Sequence, residues 1–477
     1  MKHLNASVLN TYPKVDEAAV DALLAKEIAA NKTKIVVLDD DPTGVQTVHD
    51  VSVYTDWSEA SITAGFREEG KLFYVLTNSR GFTTDETTRA HKEIARTVAT
   101  VAKKLGRDYV IISRSDSTLR GHYPLETRLL KEEMERESGI VTDGEILCPF
   151  FREGGRYTID NVHYVRYGED MVPAGETEFA KDRTFGYTAS DLPGYVEEKT
   201  GGAYKAADVT CISLEDLRAQ NYDKIEAQLA AVRDFNKIAV NAIDYCDVKV
   251  FCVALYRAMA KGKHFMFRSA AALVKCIGGI TDQPLLTRKE MVTQETGNGG
   301  IVVVGSHTQK TTAQLQQLLT VPGTQGIEFN SNLVMEGEAA FEAEINRVVA
   351  QSEELIKKGI TPVCYTVRKL LEVKGDSKED ALRHSVQISY GVQSLVGRLG
   401  ITPAFVIAKG GITSSDVGTK ALAVKRANVM GQIRPGIPVW QTGDDSRFPG
   451  IPYVIFPGNV GEESTLKEAV EILLRKD

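Results

Sequence analysis

Several large classes of protein are excluded by what this sequence lacks. Its six cysteines, Cys148, Cys211, Cys246, Cys252, Cys276 and Cys364, form no C-x-x-C pair, so neither zinc-site spacing nor a disulfide framework is visible. Reduced, mostly buried thiols are expected. No stretch approaches the roughly 18 consecutive apolar residues of a membrane-spanning helix, and the opening MKHLNASVLNTYPKV has no apolar leader core, so the expected setting is the cytoplasm, with no membrane partner. A basic excess is also missing: the net charge is -7 and no basic face is clustered, which argues against nucleic acid as a partner. Neither a Walker A loop nor a Rossmann G-x-G-x-x-G occurs, and there is no short internal repeat or low-complexity tract.

What is present is ordinary globular composition in a long chain. Hydrophobic residues make up 43% and charged residues 25%, which rules out the disordered and fibrous classes. At 477 residues the chain exceeds what one core sustains, since single cores stop growing near about 250 to 300 residues, so two domains are expected.

The apolar patterning gives those domains a class. Residues 16–31 carry Ala18, Ala22, Leu23, Ala25 and Ile28 at helical spacing, followed by the apolar run 35–38. Similar short runs recur at 51–54, 72–77, 109–113, 145–148, 207–212, 238–243 and 264–267, and helical patterns such as 84–105 fall between them. A second series begins at IVVVGSHTQKTTAQLQQLL and continues through QGIEF, TPVCYTV, PAFVIAKGG, GIPVW and PYVIFPGNVG. Alternating strands and helices predict two α/β domains with mostly parallel, helix-covered sheets. The polar segment 281–298, with Gly297 inside it and Gly299 and Gly300 just beyond, reads as a linker. The expected organisation is an N-terminal helical extension over 1–33, a first domain over 34–280 and a second over 299–477. Residues 150–202, rich in Gly, Pro, Tyr and charge, read as a long excursion from the first sheet.

Chemistry-bearing residues gather at strand ends, where the ligand crevice of an open α/β sheet lies. LDDDPTGVQT brings Asp39, Asp40 and Asp41, which can orient a hydroxyl, take its proton or hold magnesium. TNSRGF and SRSDSTLRGHY bring Arg80, Arg114 and Arg120, whose forks match carboxylate or phosphate, together with Ser115, Asp116, Ser117 and Thr118. A turn capped by an Asx residue, or a solvated surface arginine, would explain each motif alone. Three together favour a pocket for a hydroxy acid. In the second domain GSHTQKTT, AKGGITSSDV and FPGNVG each follow a strand, so small residues and backbone N–H groups near helix starts can receive phosphate.

DDPTG, DSTLRG and CPFFREGGRYT, then GSHT, GGIT and PGNVG, in this order from about Lys34 to the C-terminus, resemble the motifs of the four-carbon acid sugar kinases. The resemblance implies an N-terminal domain that binds a sugar acid and a C-terminal domain that binds ATP. It further implies phosphorylation of the terminal hydroxyl of a compound such as threonate, erythronate or 3-oxo-tetronate, with ATP and Mg2+ as cofactors and the active site in the cleft between the domains. Carried over by motif, Asp40, Arg80 and the stretch from Ser115 to Thr118 would contact substrate, and Ser306, Gly410, Gly411, Ile412, Thr413 and Gly458 would contact ATP. Several details differ from the common pattern: an extra acid leads the motif, Pro42 and Val45 replace its usual residues, Arg114 stands where Lys is common, and the helix before Lys34 and residues 160–200 are longer than in the compact members.

Positioning and charge stabilisation dominate phosphoryl transfer. Arg80 is accordingly expected to clamp the substrate carboxylate, Arg114 to bind substrate, Ser117 and Thr118 to read hydroxyls, and Asp40 or Asp116 to accept the proton of the attacking hydroxyl. The metal ligands are not assigned and a homo-oligomer is left open. Two rival classes stay open: a non-catalytic sugar-acid sensor, which would not need the phosphate turns, and a dehydrogenase or aldolase, which would need a dinucleotide fingerprint or a Schiff-base lysine such as Lys409.

Overall fold

A computed structural model describes residues 2–368, 378–458 and 460–475, with the side chains of 378–382 excepted. The chain divides into two units, Met1–Gly44 with Asp56–Asp282, and Val45–Thr55 with Gln283–Asp477. Among the described residues no helix is long and apolar enough to cross a membrane.

The first unit is built on a parallel sheet of seven strands. Their spatial order is Thr210–Ile212, Asn236–Val240, Gly144–Cys148, Phe265–Ser269, Tyr109–Arg114, Lys34–Asp39 and Leu72–Leu76. Strands in such a sheet are covered on both faces, which is why they read as unbroken apolar runs; every residue of Lys34–Asp39 and Leu72–Leu76 is buried. The helix Thr84–Leu105 illustrates how the sequence sets the connections. Thr83 and Glu86 close a reciprocal capping box at its start, and Gly106, at φ +61, ends it in the left-handed region. Helix Glu17–Ala30 belongs to the same unit.

Strand order decides where ligands can bind. From Lys34–Asp39 the chain moves to Leu72–Leu76 on one side, and then to Tyr109–Arg114 on the other. The order reverses between these two central strands, so their carboxyl ends, Asp39 and Arg114, flank a switch-point crevice. The excursion after residue 150 forms a separate four-stranded antiparallel sheet, ordered Leu4–Asn5, Asp170–Pro173, Val162–Tyr167 and Arg156–Ile159. Bridges from Thr158 to Ala242 and from Phe151 to Arg156 fasten it.

In the second unit five parallel strands, Pro452–Phe456, Val406–Lys409, Ile301–Val304, Thr361–Thr366 and Thr324–Phe329, are extended on the Pro452–Phe456 side by antiparallel Ile437–Thr442, Arg426–Arg434 and Val51–Tyr54. The apolar run 51–54, which follows 35–38 in the N-terminal series, thus finds its partner about 375 residues later, at Arg426–Val429; apolarity predicts a strand and says nothing of its partner. Here too the order reverses, between Ile301–Val304 and Val406–Lys409, which places GSHT and GGIT at a second switch point. Gly300 lets Phe405 pack against the backbone, since a Cβ there would lie 2.4 Å from its ring. Phe405 is 1% exposed, so Phe405→Ala is expected to cost about 3–5 kcal/mol of stability through the cavity it leaves, read as a lowered urea midpoint.

Candidate functional site

At the first switch point, four carboxylates and their arginines form one buried network. Asp39 and Asp40 end a strand and are 1% and 4% exposed, and buried carboxylates have to be paired. Arg114 Nη1 donates to Asp39 Oδ1 at 3.0 Å and lies 3.9 Å from Asp40 Oδ1. Arg80 grips Asp40 with two bonds, Nη2 to Oδ1 at 2.7 Å and Nε to Oδ2 at 3.2 Å, and reaches Asp41 Oδ2 with Nη1 at 3.1 Å. Ser115 Oγ donates to Asp40 Oδ2 at 2.5 Å. Two glycines make this density possible: a Cβ on Gly44 would lie 2.1 Å from the Asp39 carboxylate, and one on Gly121, at φ +120, 2.7 Å from Ser115 Oγ.

The loop after the Tyr109–Arg114 strand is held from the excursion. His163 Nε2 bonds Ser117 O at 2.7 Å, Tyr187 OH donates to Thr118 O at 2.7 Å, and Tyr195 OH donates to Leu119 O at 2.7 Å. Arg120 forks Asp116 with Nε to Oδ2 at 2.8 Å and Nη2 to Oδ1 at 3.1 Å. Arg156 Nε donates to Thr118 Oγ1 at 3.0 Å. Beneath, Glu126 accepts from Ser79 Oγ at 2.9 Å, with His91 Nε2 at 3.6 Å.

The electrostatics sort the carboxyl groups. Burial pushes Asp39 up to about 7, with Asp40 and Asp41 adding to the rise and Arg114 opposing it. Burial also acts to raise Asp116, but Arg80, Arg120 and Arg156 overcome it and hold its carboxyl far below the usual range. Asp41 likewise lies below its ordinary value, as Arg80 and the bonds from Thr43 outweigh burial. Burial takes His163 down to about 4, so it is a neutral ring at neutral pH.

In the second unit the three small-residue turns converge. Thr308 caps helix Gln309–Leu318, its Oγ1 accepting from Thr311 N at 3.2 Å, and Thr311 Oγ1 donates to Ser306 Oγ at 3.1 Å. A Cβ on Gly305 would fall 2.3 Å from Thr413 Oγ1, and one on Gly410, at φ +120, 3.3 Å from Ser306 Cβ. Gly411 opens the helix Gly411–Asp416, and Ile412 is 75% exposed. Lys409, fully buried, donates to Pro457 O at 2.6 Å and Gly458 O at 3.0 Å, which ties the third turn to the second. Burial brings its amine down to about 7, with Lys310 adding to the effect.

Asp40, Arg80, Arg114, Ser115, Asp116 and Thr118 therefore share one network, Ser117 joins it through its carbonyl, and Ser306, Gly410, Thr413 and Gly458 share another. Sequence reasoning passed over Arg156, His163, Glu126 and Arg268, whose Nη2 donates to Arg120 O at 2.6 Å, in the first unit, and Arg368, whose Nη2 donates to Ser306 O at 2.7 Å, in the second. Only Arg156 had a signal, its place inside CPFFREGGRYT. Among the described residues no group of three or more His, Cys, Asp or Glu side chains is placed to hold a metal ion.

The two networks lie in stretches of chain that match known family models. A sugar-binding N-terminal domain matches residues 35–277, and a nucleotide-binding C-terminal domain matches residues 301–466. The fold and sites thus define a protein that joins a sugar-binding domain to a nucleotide-binding domain. The chain belongs to the family with this two-domain arrangement, the four-carbon acid sugar kinase family. Comparison with curated proteins gives no match. Among solved structures, a Salmonella typhimurium LT2 protein with the provisional description of a tRNA synthase superposes with a TM-score of 0.64 at 16% identity, covering 91% of this chain and 98% of that one. A Haemophilus influenzae protein of the DUF1537 family gives 0.61 at 17% identity, covering 92% and 100%. At such identities the likeness establishes a shared fold.

The raised Asp39 carboxyl carries a stability consequence. Between its unfolded value of about 4 and its folded value of about 7 the native form holds a proton that the unfolded chain has released, so rising pH favours unfolding across that window. Asp39→Asn removes this linkage. The thermal midpoint of the variant should rise relative to wild type as pH goes from about 4 to about 7, then hold a constant difference above it. A difference independent of pH would contradict the assignment.

Proposed function

We propose that the protein transfers the γ-phosphoryl group of ATP to the terminal hydroxyl of a four-carbon sugar acid of the threonate, erythronate or 3-oxo-tetronate type. The observation that carries this reading is the pairing, in one chain, of a sugar-binding domain and a nucleotide-binding domain, each with its polar groups at a switch point of its own sheet. Asp40, Arg80, Arg114, Ser115, Asp116, Ser117 and Thr118 form the sugar-acid side. Ser306, Gly410, Gly411, Ile412, Thr413 and Gly458 form the ATP side, where backbone N–H groups receive phosphate without side-chain charge. Magnesium would arrive on the ATP phosphates: it keeps several waters and seldom requires an all-protein cage, so the present donor set is compatible with it. There it would neutralise developing charge on the phosphoryl oxygens.

Asp40 is assigned as the group that orients the attacking hydroxyl and takes its proton. It already accepts from a hydroxyl, Ser115 Oγ, whereas Asp116 is held far below the usual range and is a weak base. A coupled ADP-release screen over four-carbon sugar acids, with and without magnesium, tests the reaction; no acid-dependent ADP formation would rule it out. Asp40→Asn should lower kcat by about 10²–10⁴ while both ligands still bind. Wild-type kcat in that variant would remove Asp40 from the role.

The nucleotide turn has its own test. Gly410 sits at φ +120, close behind Ser306, so Gly410→Val is expected to eliminate measurable ATP binding in calorimetry while circular dichroism stays native-like.

A further inference from the structure

Five arginines lie at the first switch point. One, Arg268, is 6% exposed, and its Nη2 donates to Arg120 O at 2.6 Å; the other four differ in what they already hold. Arg114 is paired with Asp39, Arg80 with Asp40 and Asp41, and Arg120 with Asp116 and, at 3.9 Å, Asp182. Each of these forks is committed to a carboxylate of the protein. Arg156 is not. Its Nε is spent on Thr118 Oγ1 and its Nη1 bonds Gly154 O, and among the described residues no carboxylate lies within ion-pair distance of it.

The position of Arg156 is nonetheless built. It begins the strand Arg156–Ile159, and its backbone exchanges two bonds with Phe151, 3.1 Å and 2.9 Å, so the excursion fixes where the side chain starts. Its guanidinium lies 4.9 Å from the centre of the Phe179 ring, and that of Arg120 lies 5.0 Å from the same ring. The bonds to Thr118 and Gly154 set the rotation of the guanidinium plane. Among the described residues Nη2 has no partner, and Nη1 keeps a second hydrogen, so guanidinium donors remain for a carboxylate.

We propose that Arg156 receives the carboxylate of the sugar acid, and that Arg80 instead holds the aspartates in register. This rests on the sugar-acid reading given above and names the recognition element within that site. Thr118 supports the same arrangement: its fully buried hydroxyl accepts from Arg156 Nε and so holds the guanidinium in place. A half-buried arginine with no carboxylate in direct ion-pair contact is costly until an anion arrives: burial lowers the affinity of Arg156 for its proton, with Asp116 opposing from a distance. An acid is accordingly favoured over an uncharged isostere.

The test is calorimetric titration of wild type, Arg156→Gln, Arg156→Lys and Arg80→Gln with threonate and erythronate, and with the corresponding amides, which keep the hydroxyls and replace the carboxylate by a neutral group. Wild type should prefer acid over amide by about 100-fold or more, and Arg156→Gln should bring the two within about threefold of each other with amide affinity little changed. Arg156→Lys keeps a point charge without the fork and should retain only about a tenth of the preference. Arg80→Gln, which unpairs Asp40 and Asp41, should weaken acid and amide alike and so keep the preference. Circular dichroism and the thermal midpoint verify that each variant is folded, and Arg156→Lys decides the matter if Arg156→Gln is not. An undiminished acid preference in the Arg156 variants, or its loss in Arg80→Gln alone, overturns the assignment while leaving the sugar-acid reading intact. Failure of wild type to bind any of the four ligands overturns both.

Discussion

Carboxylates buried at the end of a central parallel strand have to be compensated, and much of the first unit is arranged around that requirement. Asp39, Asp40 and Asp41 follow one another where the Lys34–Asp39 strand leaves the sheet, and the first two are almost wholly removed from water. An ionised carboxylate in such a place is tolerated only with a cation and further hydrogen bonds around it. Arg80 and Arg114, at the ends of the two flanking strands, supply those charges. Gly44 and Gly121 supply the space, because any side chain at either position would collide with the network. Pairs of this kind add little net stability. Their value lies in geometry, since removing one partner leaves the other buried and unpaired.

The same network explains why the excursion after residue 150 matters. Three ring groups from it, His163, Tyr187 and Tyr195, bond successive carbonyls of the Ser117–Leu119 segment, so that loop is shaped from outside the parallel sheet. Leu119 sits at φ +69, a conformation that an L-residue keeps only when its surroundings enforce it. The nucleotide-binding unit uses a different economy. Its turns bring few charged side chains, and small residues let chain segments approach each other closely: Gly305 against Thr413, Gly410 against Ser306, with the Lys409 amine bridging to the Pro457 and Gly458 carbonyls. Open backbone donors near helix starts suit a phosphate chain, whereas directed side chains suit the discrimination of hydroxyls and a carboxylate.

The sequence by itself determined the α/β class, the strand positions and the residue types at the strand ends. These are local properties: apolar runs follow from burial on both sheet faces, helix starts from caps such as Thr83 with Glu86, and motif order survives translation into structure. Only the tertiary structure decided which strands are neighbours, that Lys34–Asp39 lies between Leu72–Leu76 and Tyr109–Arg114, and that 51–54 pairs with a strand far along the chain. It also decided which arginine is already paired. Arg80, Arg114, Arg120 and Arg156 look alike in sequence, and what separates them is the partner each finds across 40, 75, 4 and 38 residues respectively. Hydrogen bonding and ion pairing act over a few ångströms of space, and distance along the chain does not encode that until the sheet order and the excursion have folded those segments together.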